Sequence, residues 1–285
     1  MATEWGFVEQ RDGGYAYTEP MLGVLDLIRR ALSRLHGVPH RTVVAPPVIA
    51  SSIIARTSYP ACFPQLLAAV STLNDPSLVG DAMSYSKDAA AAWRAGLAPS
   101  RWVLQPAACY SVYALLADSR LNEPYECDVT GWCFRNESTS NATRLSSFEM
   151  REFVHVGTAD SCAGFVDFWR AEITSFLSEL ELLPRVVPAA DPFFGRGALL
   201  LARSQLQSAS KVEFVVEAES GPLAVASLNS HGNALTEQFN IHCGDNATAS
   251  ACMAFGLHRL ARSLLWVHGE DVNSWPNSIL PTIGL

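Results

Sequence analysis

The sequence predicts an α/β fold of the α+β type, built as one domain over residues 1–285. A chain of 285 residues with 49% hydrophobic content can bury a sizeable core. Segments with a helical period of apolar residues are interspersed with short segments rich in β-branched residues. The stretch Val129–Gly157 has two strand-like halves joined by a long polar loop, and no internal repeat or low-complexity linker divides the chain.

The first half of the chain predicts two helices and two strands before the polar hairpin. Met21–Leu35 has apolar residues every three or four positions, which indicates a helix that Gly37 and Pro39 end. Thr42–Ala50 predicts a strand, and the alanine-rich Ser84–Leu97 a helix. The other expectations are an irregular or short-strand start at 1–20, a strand at Trp102–Leu104 and a helix or turn at Cys109–Leu116.

The second half predicts two long helices around a pair of strands. Val166–Leu182 is amphipathic and stops at Pro184; its apolar stripe comprises Phe168, Ile173, Phe176, Leu177 and Leu180. Lys211–Val216 and Leu223–Leu228 are rich in β-branched residues and predict strands. Ala251–Val267 predicts a helix with leucines facing the sheet.

Charge and cysteine content limit the partners and the compartment. The formal net charge is −8, and no broad surplus of lysine and arginine is available to neutralise phosphates, so a nucleic-acid partner is disfavoured. Seven cysteines, an odd number, argue for reduced thiols. The polar amino terminus resembles no signal peptide, and the uncharged stretch Trp102–Ala117 is too short for a bilayer. We therefore expect a cytoplasmic protein without a membrane partner.

The charged residues of the polar hairpin would suit a nucleotide site. Period-two alternation places Arg135 and Glu137 on one face of the first strand. In the second strand it places Phe148, Met150 and Glu152 opposite to Glu149, Arg151 and Phe153. The loop from Ser138 to Ser147 adds one cation, Arg144. An arginine beside a carboxylate suits phosphates and a base with donor groups. The alternative is a hairpin whose charges face water.

Three segments of the chain resemble the motifs of class II aminoacyl-tRNA synthetases, in the required order. FRNE, a loop and FEMREFVHVG resemble motif 2; FGLHRLARSL, with Gly256 and Arg259, resembles motif 3; DLIRRALSRL followed by TVVAPPVI, with Pro47, resembles motif 1. With DPFF and SLNSH they are similar to one branch, the amino acid:[carrier protein] ligases, truncated homologues of seryl-tRNA synthetase. The resemblance covers roughly residues 39–267. It implies a class II catalytic domain with a mainly antiparallel sheet flanked by helices.

This resemblance implies ATP-dependent activation of an amino acid and assigns the nucleotide contacts. Arg135 would bind the α-phosphate, Glu137 would accept a hydrogen bond from the adenine amino group, and Phe148 would stack on the ring. Arg259 would stack or pair on the far side, near the γ-phosphate, and Arg144 is a weaker phosphate candidate. The alternative for each arginine is an ordinary ion pair.

The ligand of the Mg²⁺ that accompanies ATP stays open. Seryl enzymes use a Glu-x-x-Ser pair, of which Ser227 is present, while Ala224 stands at the glutamate position. Glu213 is the nearest strand carboxylate, so Glu213 and Ser227 complete the ATP-binding candidates.

The resemblance also implies zinc, bound by Cys109, Glu152 and Cys252. Two thiolates, a carboxylate and one open position are typical of a functional zinc site, and the open position suits a neutral α-amino group. Rival ligands are Glu149 and the pair Cys127 and Cys133. The alternative is that the thiols are small buried hydrophobes, as we expect for Cys62, Cys162 and Cys243.

The implied partners are an amino acid, a carrier protein with a phosphopantetheine arm, and a second copy of the chain. Asn229 and His231 are candidates for the amino-acid or pantetheine pocket, with ordinary hydrogen bonding in a loop as the alternative. A cluster of arginines suits docking of an acidic carrier, with a solvated helix face as the alternative: Arg29, Arg30, Arg34 and Arg41.

The acceptor is the most open part of this interpretation. The chain begins almost at motif 1, which leaves no room for the tRNA-binding helical arm of seryl enzymes, so tRNA is an unlikely partner. The alternatives are a short synthetase-like ligase with another acceptor and a non-catalytic regulatory paralogue.

Overall fold

The computed structural model describes residues 3–9, 14–75, 77, 93–137, 143–219, 221–245 and 247–284. In chain order the strands are β1 (Thr3–Glu4), β2 (Phe7–Glu9), β3 (Tyr15–Tyr17), β4 (Thr42–Ala45), β5 (Val48–Ala50), β6 (Ala69–Leu73), β7 (Leu97–Leu104), β8 (Arg120–Leu121), β9 (Tyr125–Phe134), β10 (Ser147–Gly157), β11 (Arg185–Pro188), β12 (Lys211–Val216), β13 (Leu223–Gly232), β14 (His242–Cys243) and β15 (Ala249–Gly256). The helices are α1 (Met21–Leu32), α2 (Ser51–Ile54), α3 (Tyr59–Cys62), α4 (Cys109–Leu115), α5 (Ala159–Glu179), α6 (Ala198–Ser208), α7 (Ala234–Gln238), α8 (Leu257–His268) and α9 (Leu280–Ile283). Short 3₁₀ turns occur at Pro64–Leu66, Trp93–Gly96 and Val272–Ser274.

A seven-stranded sheet in the order β11-β12-β13-β15-β10-β9-β4 forms the centre of the fold. All of its pairs are antiparallel except β4–β9, which is parallel. Three smaller sheets, β1-β2-β3, β5-β7-β6 and β14-β8, lie around it. The predicted α/β fold with a mainly antiparallel sheet is therefore confirmed.

Helices cover both faces of this sheet. On one face α1, α5 and α8 pack their apolar sides over side chains such as Phe153, Phe214 and Phe255, all fully buried. On the other face α4 and the segment around Phe239 cover the middle strands. Among the described residues, no helix has both the length and the apolar character that a bilayer span requires.

The two proline-containing segments of the first half differ from prediction. Thr42–Ala50 is two strands in different sheets, because Pro46 and Pro47 separate β4 from β5 and cannot donate to a ladder. The segment SYPACFPQLLAAV, residues 58–70, resembles an element of the carrier-protein ligases that leads into a helix, but here it leads into a strand. It forms α3, a 3₁₀ turn and then β6.

Other boundaries also shift. Helix α1 ends at Leu32 rather than Leu35, and β7 is longer than the predicted Trp102–Leu104. The predicted helix at Ser84–Leu97 falls largely on residues 84–92, outside the described part of the chain, while Trp93–Gly96 is a 3₁₀ turn. Helix α5 begins at Ala159, where the Thr158 side chain accepts a hydrogen bond from Ser161 N, and Phe168 lies outside its buried stripe.

The prediction for Ala251–Val267 is wrong in its first third. Residues 249–256 form β15, and the helix α8 starts only at Leu257. The run ASACMAF is buried on both sides of the sheet, so it has neither the alternation of a half-exposed strand nor a polar stripe. Cys252 therefore lies on a central strand. The predictions from sequence also omitted β11 and α6.

Candidate active site

One face of the central sheet brings together most of the predicted site residues. Residues opposite one another in antiparallel strands point to the same face. One cross-strand row contains Lys211, Asn229 and Cys252. The next row contains Glu213, Ser227, Ala254 and Glu152. Because residues two apart on a strand share a face, both rows belong to one surface.

A cleft opens over this surface, toward the end of the sheet where α8 begins. Six of the seven predicted ATP-binding residues line it: Arg135, Glu137, Phe148, Glu213, Ser227 and Arg259. Arg135 and Glu137 lie just after β9 rather than within it, although Arg135 N still donates to Ser146 O at 2.9 Å. The resemblance thus identified residues that the structure places around one cavity.

Backbone carbonyls hold the two arginines of the cleft. Arg135 Nε donates to Pro106 O at 3.4 Å, and its guanidinium carbon lies 5.3 Å from the centre of the Phe148 ring. Arg259 donates from Nε to Thr143 O at 3.0 Å and from Nη1 to Ala224 O at 3.2 Å. Burial lowers the pKa of Arg259, and the positive charge of Arg135 lowers it further. Two converging cations of this kind favour an anionic ligand.

Arg144 lies at the rim of the cleft. It is mostly exposed, and its Nη1 lies 3.5 Å from Glu137 Oε2. The part of the hairpin loop at residues 138–142 lies outside the described residues.

The proposed zinc ligands lie close together at the end of the site that is away from α8. The Sγ atoms of Cys109 and Cys252 and a carboxylate oxygen of Glu152 lie within 4.8 Å of one another, and all three side chains are buried. Glu152 accepts hydrogen bonds from Ala108 N at 2.8 Å and Cys109 N at 3.3 Å, at the start of α4. No other such cluster occurs in the described ranges of the chain. The sequence alone could not bring these three together, because 100 residues separate Glu152 from Cys252.

The three side chains of this cluster shift one another's pKa values. A hydrogen bond from the Cys109 thiol lowers the pKa of Cys252 well below its usual value, and His231 lowers it further. The same hydrogen bond raises the pKa of Cys109. Burial, together with the charge of Cys252, raises the pKa of Glu152 to about 7. Two thiols and a carboxylate with little solvent around them form a donor set that fits zinc.

Asn229 and His231 lie beside the cluster. Because β13 extends to Gly232, both residues are on a strand rather than in a loop. Asn229 Nδ2 is 3.6 Å and His231 Nε2 3.7 Å from Cys252 Sγ. His231 Nδ1 lies 3.1 Å from the hydroxyl of Tyr113, a residue that sequence reasoning missed.

The rival ligands lie elsewhere. Glu149 is on the opposite face of β10, where its carboxylate binds Arg29 at 3.1 and 2.5 Å. Cys127 and Cys133 are buried on β9, outside the cluster. The alternation of β10 therefore separates Glu149 from Glu152 as predicted.

Two charged residues of this site were missed at the sequence level. Lys211 lines the cleft, with Nζ 2.5 Å from Asp191 Oδ1 and 3.3 Å from Glu213 Oε1. Asp191, the first residue of DPFF, also accepts from Gln205 Nε2 at 2.8 Å, which ties this loop to α6. Alternation with Glu213 along β12 was the one signal that could have identified Lys211.

No protein-family model matches the chain. Two curated relatives from Bradyrhizobium diazoefficiens match almost all of it. Amino acid–[acyl-carrier-protein] ligase 2 is 35% identical over 279 residues, covering 96% of this chain and 83% of the relative. Amino acid–[acyl-carrier-protein] ligase 1 is 33% identical over 280 residues, covering 96% and 86%.

Solved structures show the same fold. M. kandleri SerRS, in complex with A. aeolicus tRNASec, superposes with a TM-score of 0.81 at 24% identity. The chain spans 58% of that protein's length. Seryl-tRNA synthetase from Pyrococcus horikoshii, complexed with ATP, superposes with a TM-score of 0.67 at 15% identity, over 60% of its length. The fold is thus that of a class II aminoacyl-tRNA synthetase, and the two Bradyrhizobium relatives show that the chain belongs to the amino acid–[acyl-carrier-protein] ligase family.

Proposed function

We propose that this protein activates an amino acid with ATP and transfers the aminoacyl group to the phosphopantetheine thiol of a carrier protein. The proposal rests on one observation. On one face of the central sheet, a cleft that contains two arginines lies next to a buried cluster of residues that can bind a metal ion. A carrier protein as the acceptor follows from the ligase family to which the chain belongs. We infer that residues 1–285 act as one catalytic domain.

ATP occupies the cleft in this proposal. Arg135 binds the α-phosphate, and Glu137 accepts a hydrogen bond from the adenine amino group. Phe148 stacks on one face of the adenine ring, and Arg259 stacks or pairs on its far side, near the γ-phosphate. Arg144 reaches the phosphates only by leaving Glu137. The Pyrococcus horikoshii synthetase, which shares this fold, was solved in complex with ATP and supports ATP as the nucleotide.

The first step is attack of the amino acid's carboxylate oxygen on the α-phosphorus. The new O–P bond forms as the bond to pyrophosphate breaks, so negative charge moves onto the leaving group. Arg135 and Arg259, held by backbone carbonyls, are preorganised to stabilise that charge. Mg²⁺ accompanies the phosphates, with Glu213 and Ser227, neighbours across β12 and β13, as its nearest candidate partners.

The amino group lies at the other end of the site. Cys109, Glu152 and Cys252 would hold a zinc ion, whose open position would fix the neutral α-amino group of the substrate. Glu152 is oriented by two backbone N–H groups, and Asn229 and His231 flank Cys252. This arrangement supports recognition of an α-amino acid by its amino group, with Asn229 and His231 in the amino-acid or pantetheine pocket.

The second step is attack of the carrier's thiol on the carbonyl carbon of the adenylate. A C–S bond forms, the bond to the phosphate oxygen breaks, AMP leaves and the thiol proton passes to solvent. Docking of an acidic carrier is supported by Arg30, Arg34 and Arg41, which are exposed. Arg29 is not available for docking, because it pairs with Glu149 and Asp26. The resemblance to motif 1 supports a homodimer.

The test of this function is transfer to a carrier protein. Enzyme, ATP, Mg²⁺, a panel of amino acids and an acyl carrier protein in its holo form are incubated together and analysed by intact-protein mass spectrometry. We expect the holo carrier to gain the mass of one aminoacyl group and the apo carrier, which lacks the thiol arm, to stay unchanged. Label on tRNA with the carrier untouched would favour the alternative synthetase-like acceptor. Absence of ATP–pyrophosphate exchange with every amino acid would contradict activation itself.

A further inference from the structure

A buried histidine continues the sheet at the point where a strand turns into a helix. The ladder between β10 and β15 ends at the pair Met150–Gly256, and α8 begins at Leu257. One residue beyond that pair, Glu149 N–H has no partner in β15. It donates instead to Nδ1 of His258, at 3.1 Å. The imidazole thus takes the place of the missing strand residue.

The surroundings of His258 fix its protonation and its orientation. Its side chain is 2% exposed and packs against the rings of Tyr17 and Trp132, with centroids 4.5 and 5.3 Å away. Burial and the charge of Arg29 lower the pKa of His258 to about 4, so the ring is neutral at pH 7. Because Nδ1 accepts a hydrogen bond, the proton is on Nε2.

This hydrogen bond links two neighbours that face the cleft. Phe148 directly precedes Glu149, and Arg259 directly follows His258; both line the nucleotide cleft. Arg259 is held from the outside by Thr143 O and Ala224 O, and Phe148 lies under Arg135. The distance between the strand that carries Phe148 and the helix that carries Arg259 is therefore set at the Glu149–His258 contact.

We propose that His258 is a positioning residue that sets the gap between Phe148 and Arg259 and thereby the affinity for the adenine end of the nucleotide. The inference rests on the proposed function, in which adenine lies between these two side chains. A stacked ring requires contact distances of about 3.5–4.0 Å on each of its faces, so a small shift of α8 weakens both contacts together. His258 also lines the cleft, but it is only 2% exposed and its Nδ1 is occupied by Glu149 N.

Three substitutions of His258 distinguish the effect of its hydrogen-bond acceptor from the effect of the ring's volume. His258→Asn keeps an acceptor close to the position of Nδ1, His258→Gln moves it one bond further, and His258→Leu removes it. The KM for ATP, the inhibition constant of adenosine and the KM for the amino acid are measured in ATP–pyrophosphate exchange. We expect His258→Leu and His258→Gln to raise the KM for ATP and the inhibition constant of adenosine by roughly tenfold, the effect of one lost hydrogen bond to a buried donor. Asn should stay within about threefold of the wild type, and the amino-acid KM should not change.

His155→Leu is the matched control. His155 is also a buried, hydrogen-bonded histidine on β10, with Nδ1 2.9 Å from Glu126 Oε1 and Nε2 2.8 Å from Ser161 Oγ, far from the cleft. Its loss should lower the melting temperature and leave the KM for ATP unchanged.

Two results would overturn the role of His258. One is a wild-type KM for ATP in both the Leu and the Gln variant; the other is an equal rise in the amino-acid KM. If the Leu variant does not fold, equal values for Asn and Gln decide against the proposal. A wild-type protein without exchange activity contradicts the proposed function itself, whereas an active wild type with unaffected variants contradicts only the part assigned to His258.

Discussion

At the scale of single residues, Arg135 and Arg259 raise the question of what balances their charge. Among the described residues, the hydrogen bonds of both guanidinium groups go to backbone carbonyls, which are neutral. Glu137 and Glu213 line the same cleft, but Glu137 pairs with Arg144 and Glu213 with Lys211. Among the described residues, the charges of the two arginines therefore favour an anionic ligand in the cleft.

Arg135→Ala and Arg259→Ala should each reduce ATP–pyrophosphate exchange by roughly a hundredfold or more, because each removes one preorganised contact to the charge of the transition state. Arg185→Ala is the control, since this arginine forms an exposed pair with Glu217 outside the cleft. Exchange rates measured at saturating amino acid give the comparison. Wild-type rates in either cleft variant would refute the motif assignment.

The second prediction at this scale concerns the metal. The purified protein should contain about one zinc ion per chain, and Cys252→Ser or Cys109→Ser should lose both the metal and amino-acid binding, because each removes one of three ligands. Cys243→Ser, a buried thiol outside the cluster, should retain both. Elemental analysis and calorimetry with the amino acid provide the readouts. Zinc retained in the Cys109, Glu152 and Cys252 variants alike would rule out this ligand set.

At the scale of elements, one buried ion pair joins helix α1 to the central sheet. Arg151 on β10 donates to both carboxylate oxygens of Asp128 on β9, at 3.0 and 2.6 Å, and the two side chains are 7% and 4% exposed. Arg151 Nη1 also donates to Arg29 O and to Ser33 Oγ, near the end of α1. The guanidinium group therefore satisfies a helix terminus and a buried carboxylate together.

Asp128→Ala should destabilise the fold by about 3–5 kcal/mol, because it leaves a buried guanidinium without its counter-charge. The double variant Asp128→Leu with Arg151→Met should regain much of this loss, since an apolar pair has no charge to desolvate. Glu217→Ala, which breaks an exposed pair with Arg185, should cost less than about 1 kcal/mol. Urea unfolding followed by circular dichroism measures all three. A loss below 1 kcal/mol in Asp128→Ala would contradict the structural role of this pair.

At the scale of the whole molecule, the resemblance to class II synthetase motifs predicted more of the fold and the site than hydrophobic periodicity did. The three motifs gave the fold and the order of the site residues, while alternation gave the separation of Glu149 from Glu152. Periodicity failed at β15, because a short apolar run that is buried on both faces looks the same as a buried helix. Sequence reasoning also could not find His258, whose role depends on the residue at which β15 ends.

The edge of the central sheet bears on the oligomeric state. Strand β4 is the last strand of the sheet in the described chain and pairs only with β9. Its Val44 side chain is 82% exposed. Edge strands carry unpaired backbone groups that favour pairing with another chain, and an exposed valine there adds apolar surface. β4 also lies within the segment that resembles motif 1.

We therefore predict that the protein is a homodimer in solution and that the region of β4 lies in the interface. Val44→Lys should shift the protein toward the monomer, because a charge buried at such an interface loses its hydration without gaining a partner. Leu183→Lys is the control, since Leu183 is 79% exposed but lies after α5, away from β4. Size-exclusion chromatography with light scattering at several protein concentrations gives the mass. A monomeric wild type would end the dimer prediction, and a dimer that Val44→Lys leaves intact would place the interface on another surface.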